Sequence, residues 1–410
     1  MVEAAHRFGT PAYVTDVAVL TRAAGEITDA FPDPWLRQYS LKANDVPGIV
    51  RHIGTLGFGA NVVSGGEWSL AAEAGIPNGR ITLEGVGKSD ADLRRAVGAV
   101  VAGEPLRWVA IESAEEAAVL ASLTTESGLG TLGRAARLDV LLRLNPGVEP
   151  ETSQALAVGS GSSKFGLRET ELEAAIGAGG GPRSPIRWRG IHLHIGSQLQ
   201  GLEAWRAGIR QALAVFAVWR RTLPDFDALD LGGGFPVASG DQPVPAPADF
   251  ARVARAALHD VAPGDRPSTL AVEPGRFLVA RAGWIISRVL HRRAGRGPAG
   301  QPMVVIDAGM TELVRPALYG AHHEIVALTS KGSAIPPGDV HDGMLTLVEG
   351  PICESTDRLG QHLLPPLERG DLVAIANAGA YGSSMSSRYN GRPRPPEVLL
   401  EADGNLRLVR

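Results

Sequence analysis

The chain from about residue 36 to residue 275 repeats one pattern of hydrophobic and polar positions. A short run of β-type residues is followed by a polar or Gly-rich turn, and then by an Ala-, Leu- and Glu-rich segment with helical spacing. Such alternation predicts strand–helix units. The eight predicted strands are residues 36–41, 59–63, 80–83, 107–111, 138–144, 189–195, 228–231 and 269–272.

Several of the predicted helices begin with a capping box, in which Ser or Thr is followed three residues later by Glu or Asp. Eight strand–helix units predict an α/β fold with a closed (β/α)8 TIM-type barrel, whose functional side chains lie at the carboxyl ends of the strands. An open doubly wound sheet is the alternative, but no G-x-G-x-x-G stretch lies between a predicted strand and a predicted helix. The capping pairs are Ser64 with Glu67, Ser89 with Asp92, Ser113 with Glu116 and Thr170 with Glu173.

After about residue 280 the β-type runs are separated by Gly/Pro turns with little helix between them. Asp403-Gly404-Asn405 predicts a hairpin turn between the last two runs. We therefore expect a C-terminal antiparallel β domain, a sandwich or barrel over residues 276–410, after a barrel over residues 21–275. The early run 11–15, within an N-terminal strand segment 1–20, is expected to join the same sheet. The later runs are residues 284–290, 303–306, 324–328, 344–348, 371–375 and 397–400.

Composition narrows the class of protein. Hydrophobic residues make up 44% and charged residues 20%, no apolar run reaches about 18 residues, and residues 1–10 do not form a charged-then-apolar leader. We therefore expect a soluble cytoplasmic protein. A net charge of -4 provides no basic surface for nucleic acid or anionic membranes. Cys353 is the only cysteine, which excludes a disulfide or a cysteine-based zinc site within one chain.

Lys42 is the first candidate for chemistry, because it closes the apolar run of the first predicted strand. The chain has four lysines, at positions 42, 88, 164 and 331, among 40 Lys and Arg residues. A desolvated lysine can lose its proton and form an imine with an aldehyde, whereas a guanidinium stays protonated. We therefore expect Lys42 to be a reactive amine with a lowered pKa. The alternative is a lysine with a buried stem and a solvated ammonium.

Two histidines of the sixth predicted strand are the second candidate. His192 and His194 are two residues apart and share a face of the strand. Such a pair can bind a metal, but a catalytic zinc needs a third protein ligand, and no other His or carboxylate has an obvious partner spacing. We therefore expect no metal, and a metal-dependent barrel hydrolase is disfavoured. The remaining readings are a ring that stacks on a flat cofactor and a purely structural histidine.

Two further strand ends complete a possible cofactor site. Residues 232–234 are three glycines after the seventh strand, and Glu273 ends the eighth. Backbone amides of glycines can bind a phosphate, and a carboxylate facing a pyridine nitrogen keeps that nitrogen protonated. None of these features is specific alone. Together, a lysine, a histidine, glycines and a glutamate at four strand ends predict a pyridoxal phosphate site.

These residues also carry a resemblance to the fold type III pyridoxal phosphate-dependent decarboxylases, which have an alanine racemase-like barrel and a β domain. Within them, the chain is most similar to the diaminopimelate decarboxylases, from Gly9 to about Val398. The matching segments are residues 194–198 (HIGSQ), 232–235 (GGGF), 273–276 (EPGR), 307–310 (DAGM), 315–319 (RPALY), 350–355 (GPICES), 378–382 (AGAYG) and 384–385 (SM).

The resemblance implies roles for the cofactor-binding residues. Lys42 is implied to form the imine with pyridoxal phosphate, His194 to stack on the ring and Glu273 to pair with the ring nitrogen. The phosphate and the rest of the cofactor are implied to be bound by Ser197, Gly233, Gly234, Gly275, Arg276 and Tyr381.

The resemblance also implies a homodimer with shared active sites, in which Cys353 and Glu354 of one chain complete the site of the other. Cys353 is implied to be the acid that protonates the substrate carbon after CO2 has left. A buried apolar Cys353, a surface Arg315 and a solvated Glu354 are the structural alternatives. The implied substrate-binding residues are Arg276, Arg315, Tyr319, Glu354 and Tyr381.

The substrate implied by the resemblance is meso-diaminopimelate, converted to L-lysine and CO2. Arg315 and Glu354 have the charges needed for a distal carboxylate and a distal ammonium. Two departures from the family pattern keep other substrates open: Asn61 stands where an aspartate is usual, and residues 152–163 lack the usual histidine and Thr-Gly. The alternative is a decarboxylase of D-ornithine, D-lysine or another amino acid of a specialised pathway. A non-catalytic homologue is disfavoured by the presence of Lys42 and Cys353.

Overall fold

The structure is a computed structural model that describes residues 1–132, 136–153, 156–161, 163–181, 184–238, 242–297, 300–335 and 343–410. The chain begins with the short helix α1 (Val2–Phe8), which lies in the segment where only a strand is predicted, and continues into the strand β1 (Ala12–Asp16). Among the described residues, no helix is both long and apolar enough to cross a membrane.

Eight parallel strands close into a barrel, as predicted, because the first of them pairs with the last through Leu36 and Ala271. The bounds differ by a few residues from the prediction, and two differences affect candidate side chains. The first barrel strand ends before Lys42, and the sixth ends before His194. The strands are β2 (Leu36–Ser40), β3 (Gly59–Val62), β4 (Ile81–Leu83), β5 (Trp108–Ile111), β6 (Leu138–Leu144), β7 (Ile186–Leu193), β8 (Ala228–Asp230) and β9 (Thr269–Val272).

The helices around the barrel bury their apolar faces against the outer side of the strands, in the largest apolar core of the chain. The helices are α2 (Val17–Ala30), α3 (Pro47–Thr55), α4 (Gly65–Glu73), α5 (Asp90–Val101), α6 (Ala114–Glu126), α7 (Leu172–Ala178), α8 (Glu203–Trp219) and α9 (Pro247–His259). A separate small cluster, Trp108, Ala110, Leu141, Ala228 and Ala271, fills the barrel between the strands.

Three of the four predicted capping pairs are confirmed and one is wrong. The hydroxyls of Ser64, Ser89 and Ser113 accept the backbone N–H three residues later, at the starts of α4, α5 and α6. Thr170 does not cap α7, because a 3-10 turn over Glu169–Glu171 precedes that helix. The Arg168 N–H instead donates to the Glu171 carboxylate.

The C-terminal strands form a nine-stranded sheet that also contains β1. This confirms that the N-terminal run joins the later sheet. The sheet is mostly antiparallel, but β1 with β18 and β11 with β15 pair in parallel. A hairpin turn does lie at residues 403–405, but it joins β18 to β19 and not the last two predicted runs; β13, β14, β16 and β19 were not predicted. Besides β1, the strands of this sheet are β10 (Gly283–Arg293), β11 (Met303–Ile306), β12 (Ile325–Ala327), β15 (Met344–Glu349), β16 (Arg358–Leu364), β17 (Leu372–Ile375), β18 (Glu397–Leu400) and β19 (Leu406–Leu408). The short strands β13 (Thr329–Ser330) and β14 (Ser333–Ala334) pair with each other in a separate two-stranded sheet.

Two short helices complete the described elements. They are α10 (Arg276–Val279), directly after the last barrel strand, and α11 (Arg315–Tyr319), between β11 and β12. Both begin with an arginine that the resemblance assigns to the site.

Gly190 is the most tightly packed glycine of the barrel strands. A Cβ added there would lie 1.7 Å from the Ala228 carbonyl oxygen, which belongs to the neighbouring strand β8. We expect Gly190→Ala to separate β7 from β8 and to destabilise the protein by about 3 kcal/mol or more, as overpacking of a rigid site does. The midpoint of urea unfolding, together with the yield of soluble protein, measures this.

Gly98→Ala is the matched control for this prediction. Gly98 lies inside α5, where an added Cβ meets nothing within 4 Å, so the same change should stabilise the helix by about 1 kcal/mol. Equal unfolding midpoints for the two variants would contradict the close β7–β8 contact.

Candidate active site

Lys42 lies just past the end of β2, in a 3-10 turn over Leu41–Ala43. A C-terminal segment holds this turn from outside the barrel. The Tyr381 N–H donates to the Ala43 carbonyl at 2.7 Å, and the Ser384 hydroxyl donates to the Lys42 carbonyl at 3.0 Å. The backbone of Lys42 is therefore fixed by both parts of the chain, while its side chain remains 34% exposed.

The amine of Lys42 pairs with Glu84, a residue that the sequence analysis did not single out. Lys42 Nζ lies 3.2 Å from Glu84 Oε1, and Glu84 is 1% exposed directly after β4. Burial alone lowers the pKa of Lys42, but the charges of Glu84, Tyr381 and Glu273 together outweigh it and raise the pKa. The expected lowered pKa is therefore wrong for this arrangement, because a buried carboxylate faces the amine.

His192 lies fully buried between two carboxylates. Its Nε2 is 3.1 Å from Glu84 Oε2 and 3.3 Å from Glu273 Oε2. Burial lowers the pKa of His192, but Glu273 and Glu84 outweigh it and raise the pKa to about 10. The side-chain amide of Asn61 donates to the other oxygen of Glu273. Both oxygens of Glu273 are thus held by groups of the barrel, and His192 carries a proton at neutral pH.

The four charges of this cluster balance. Glu84 and Glu273 face the ammonium of Lys42 and the imidazolium of His192. Lys42 and His192 hold the pKa of Glu84 well below its usual range, against the opposing effect of burial. A sequence signal for Glu84 was available, because it directly follows a predicted barrel strand, where catalytic side chains of this fold lie.

The argument against a metal site is corrected by the same cluster. One ligand atom each from Glu84, His192 and Glu273 lies within 4.8 Å of the others, so carboxylate partners for His192 do exist. They come from β4 and β9, which no local spacing reveals. Lys42 Nζ lies 3.2 Å from Glu84 Oε1, so an ammonium of this chain already pairs with one of the two carboxylates. The charges of Lys42 and His192 therefore balance those of Glu84 and Glu273.

His194 faces the glycine loop that follows β8. The Gly233 N–H donates to His194 Nδ1 at 3.1 Å, which leaves the proton of a neutral ring on Nε2. Burial, Lys42 and Arg143 lower the pKa of His194 well below its usual value, so the ring is neutral at pH 7. A Cβ at Gly233 would lie 2.4 Å from the Glu273 carbonyl oxygen, so only glycine fits there. The Gly234 carbonyl accepts the Leu199 N–H at 3.1 Å.

Arg276 contacts both Ser197 and Tyr381. Its Nη2 lies 3.1 Å from the Ser197 hydroxyl, and its guanidinium lies 4.8 Å from the centre of the Tyr381 ring. Gly275, the residue before it, packs against the end of β2, since an added Cβ would lie 3.1 Å from Ser40 Cβ. Ser197, Arg276 and Tyr381 therefore form one polar surface beside the glycine loop.

Arg315, the first residue of α11, faces the same surface. It contacts the buried His323 at 3.0 Å. Burial and the charge of Arg276 lower the pKa of Arg315 to about 10, although the tyrosines 319 and 381 oppose this. Within the described residues, neither Arg276 nor Arg315 forms an ion pair with a carboxylate. Two partly desolvated cations without an anionic partner form a site that favours a bound anion.

Cys353 and Glu354 are exposed on a loop of the C-terminal sheet region. Asp357 holds this loop in place by accepting the N–H groups of Ile352 at 2.7 Å and of Met310 at 2.6 Å. The Tyr389 hydroxyl donates to Glu354 at 2.6 Å. The described contacts of this loop do not bring Cys353 or Glu354 to Lys42 of the same chain. Cys353 is not the buried apolar residue of the structural alternative.

The predicted substrate loop, residues 152–163, lies against Ser197. The Thr152 hydroxyl donates to the Ser197 carbonyl at 2.7 Å, and Ala157 pairs with Gly196. Gln154, Ala155 and Ser162 of this loop lie outside the described residues. The loop therefore borders the Ser197–Arg276 surface. A change in the sequence of this loop would alter the surroundings of an anion bound at that surface.

A cavity of about 260 Å³ also lies at the opposite end of the barrel, lined by Leu36, Gln38, Gly59 and Arg107 among others. These residues are at the amino ends of their strands. Barrel active sites lie at the carboxyl ends, so this cavity is not the candidate site.

The chain matches a model of a known protein family. Residues 17–280 match the pyridoxal binding domain of the pyridoxal-dependent decarboxylases. The matched range covers the barrel and α10, and it contains Lys42, Glu84, His192, His194 and Glu273.

Individual proteins are similar over nearly the whole chain. A diaminopimelate decarboxylase of Aquifex aeolicus is 34% identical over 100% of this chain and 90% of its own length. One of Neisseria meningitidis is 36% identical over 99% of this chain and 93% of its own length. Among solved structures, the diaminopimelate decarboxylase of Helicobacter pylori complexed with L-lysine is 30% identical, with a TM-score of 0.87 and coverage of 100% of this chain and 95% of that one.

The charge cluster predicts how His192 titrates in the cofactor-free protein. The pKa of His192 should be about 10, and Glu84→Gln should lower it, because one of the two carboxylates that stabilise the imidazolium is lost. Since the folded pKa lies above the unfolded one, the stability that this proton contributes is fully present below pH ~6.5 and is lost as the pH rises through the folded value. NMR of labelled histidine side chains across this range measures the pKa.

Glu112→Gln is the control for this titration. Glu112 is also buried and pairs with Arg143 at 2.7 Å, but it does not contact His192. A His192 pKa near 6.5 in the unmodified protein, or an equal shift in both variants, would refute the pairing of Glu84 with His192.

Proposed function

The chain belongs to the pyridoxal-dependent decarboxylases, and from this premise we propose that it removes CO2 from the D-centre of meso-diaminopimelate and releases L-lysine. The observation that carries the substrate is the pair of arginines, Arg276 and Arg315, which are partly desolvated and have no carboxylate partner among the described residues. A cofactor phosphate and a distal substrate carboxylate are two anions that such a pair would bind. The named relatives and the lysine complex of one of them support this choice.

The residues at the barrel mouth fit pyridoxal phosphate, the cofactor of this family. Lys42 provides an amine for covalent attachment. Gly233 lies in a cradle that a Cβ would fill, beside the Ser197 hydroxyl and the Arg276 guanidinium. These groups, with Gly234, Gly275 and Tyr381, would hold the phosphate. Glu273 would face the ring nitrogen, and the neutral ring of His194 would lie against the flat face.

When bound, pyridoxal phosphate supplies an electron sink for the pair freed as CO2 leaves. The chain's own residues orient the substrate and move protons. Glu273, held by Asn61 and His192, keeps a carboxylate at the ring-nitrogen position. Glu84 keeps the charge of Lys42 balanced. Arg315, with Tyr319 on the same helix, would bind the distal carboxylate of the substrate. The carboxylate that leaves as CO2 would have no cation paired with it.

The proton that replaces CO2 has to come from an acid near the reacting carbon. We assign this acid to Cys353 of a second chain in a homodimer. Its thiol would donate the proton to that carbon, and the thiolate would recover a proton from water. Support comes from the exposure of Cys353 and Glu354 on one loop and of Tyr389, whose hydroxyl donates to Glu354, together with the exposed Leu318 and Tyr319 of α11. Glu354 would pair with the distal ammonium. The single cysteine suits an enzyme of the cytoplasm.

A second candidate substrate class is favoured by one observation. The loop 152–163 departs from the family pattern and borders the Ser197–Arg276 surface. An altered loop there would suit a substrate without the distal carboxylate, such as D-lysine or D-ornithine.

The choice of substrate is tested by comparing CO2 release from meso-diaminopimelate, D-lysine and D-ornithine. We expect meso-diaminopimelate to have the largest kcat/KM, and Arg315→Ala to lower that value by about 10²-fold or more, because an unpaired buried partner discriminates strongly. The same variant should change kcat/KM for D-lysine little, since D-lysine lacks the distal carboxylate. If D-lysine or D-ornithine is preferred and Arg315→Ala leaves that value unchanged, the dicarboxylate assignment is wrong.

The shared active site is tested by mixing two inactive variants. Lys42→Ala and Cys353→Ala should each lower kcat by about 10²-fold or more, and mixed dimers should recover part of the activity, because one of their two sites has both residues. Lys88→Ala, which removes a lysine paired with Glu116, is the control for loss of a lysine. Absence of recovery, with subunit exchange demonstrated, would mean that each chain supplies its own acid.

A further inference from the structure

Arg315 is held in the structure by an uncharged group. Its Nη1 donates to His323 Nε2 at 3.0 Å, and within the described residues it has no carboxylate partner. Two other enclosed arginines, outside the site, differ in this respect. Arg143 lies 2.7 Å from Glu112, and Arg189 lies 2.6 Å from Asp227. An ion pair of that kind neutralises the guanidinium, whereas the contact with His323 leaves its charge in place.

The proton position on His323 follows from its second contact. His323 Nδ1 lies 2.9 Å from the Ala376 carbonyl oxygen. A carbonyl only accepts, so Nδ1 carries the proton and Nε2 presents a lone pair to Arg315. His323 is 2% exposed, and burial together with the nearby charge of Arg315 lowers its pKa to about 4, against the effect of the Ala376 carbonyl. The ring therefore stays neutral at the pH of the cytoplasm.

The sheet fixes the position of this ring. His323 precedes β12, which pairs with β17 through Ile325 and Ile375. Ala376, at the end of β17, also donates its N–H to the Glu324 carbonyl at 2.8 Å. The imidazole is thus attached to the paired ends of two strands, and it can hold the guanidinium in one orientation.

A neutral acceptor suits an arginine that has to bind an anion. A guanidinium has five N–H donors, and His323 uses one of them, so a bidentate pair remains for a carboxylate. A carboxylate in place of His323 would hold the guanidinium equally well but would cancel its charge. A solvated arginine would keep its charge but would lose orientation, and a misplacement of about 1 Å can cost about 10²-fold in rate.

We propose that His323 is a positioning residue that presents Arg315, with its charge unneutralised, to the distal carboxylate of the substrate and so determines the preference for a dicarboxylate. The inference rests on the proposed function, because it takes Arg315 as the group that binds this carboxylate.

Three substitutions test separately the hydrogen bond of His323 to Arg315, its hydrogen bond to Ala376, and the absence of a charge on its side chain. In His323→Gln the side-chain oxygen reaches the place of Nε2 and can still accept from Arg315. In His323→Asn the side-chain amide reaches the place of Nδ1 and can still donate to Ala376, but nothing faces Arg315. His323→Glu keeps an acceptor at Arg315 and adds a negative charge. His362→Gln is the control, because His362 is a buried histidine nearby that contacts the Leu359 carbonyl.

The readouts are kcat and KM for meso-diaminopimelate and for D-lysine, and the inhibition constants of L-lysine and cadaverine. L-Lysine keeps the distal carboxylate and cadaverine lacks it. For ligands with this carboxylate, we expect His323→Gln to stay within about tenfold of the unmodified enzyme and His323→Asn to raise KM by about 10²-fold. His323→Glu should weaken binding at least as much as His323→Asn. D-Lysine and cadaverine should be affected little by any of the three, and His362→Gln should affect neither group of ligands.

The outcomes distinguish this inference from the proposed function. If Arg315→Ala weakens binding of meso-diaminopimelate and L-lysine but His323→Asn and His323→Glu do not, the positioning role is wrong and the function stands. If Arg315→Ala does not affect these ligands, the proposed substrate contact itself is wrong. Equal losses for ligands with and without the distal carboxylate would indicate a structural role for His323 and would overturn the inference, provided that thermal unfolding shows the variants to be folded.

Discussion

The balance of buried charges inside the barrel is the constraint on which the site depends. Glu84 and Glu273 lie beside the ammonium of Lys42 and the imidazolium of His192, all within contact distance of at least one opposite charge. Removing one member would leave a buried charge without a partner, which costs about 3 to 5 kcal/mol in proteins. The four residues come from the ends of four different strands. The balance of these charges therefore depends on closure of the barrel.

The two arginines of the site are held by uncharged groups and, in the part of the chain that the structure describes, not by carboxylates. Arg276 is held by the Ser197 hydroxyl and the face of Tyr381, and Arg315 is held by the neutral ring of His323. Uncharged partners fix the direction of each guanidinium without cancelling its charge. The charges of Glu84, Glu273, Lys42 and His192 thus balance within the barrel, while the surface above them keeps two cations without a carboxylate partner among the described residues. This division of charge agrees with a decarboxylase that recognises a dianionic ligand set.

The two parts of the chain meet at the lysine. Residues 379–384 contact the turn that contains Lys42, through the Tyr381 N–H and the Ser384 hydroxyl, and Tyr381 also lies over Arg276. This C-terminal segment therefore positions both the backbone of Lys42 and the Ser197–Arg276 surface. The exposed Cys353 loop, held rigid by Asp357, does not face this site in the same chain. One chain contains the proposed cofactor contacts together with Arg315, and the proposed proton donor belongs to a second chain.

The sequence by itself determined the eight barrel strands, most strands of the later sheet, the glycine loop and Arg276, because strand periodicity and strand ends are local properties of the chain. Arg315 was identified only through the resemblance to a family. The sequence also led to the pyridoxal site through residues at four strand ends. Only the tertiary structure revealed Glu84 as the partner of Lys42 and His192, and with it the raised pKa of Lys42 and the third ligand atom near His192. These contacts depend on which side chains at the ends of β2, β4, β7 and β9 meet across the barrel. The spacing of residues along the chain does not give the distances between those side chains. The same holds for His323, whose proton position is decided by a carbonyl that lies on a neighbouring strand.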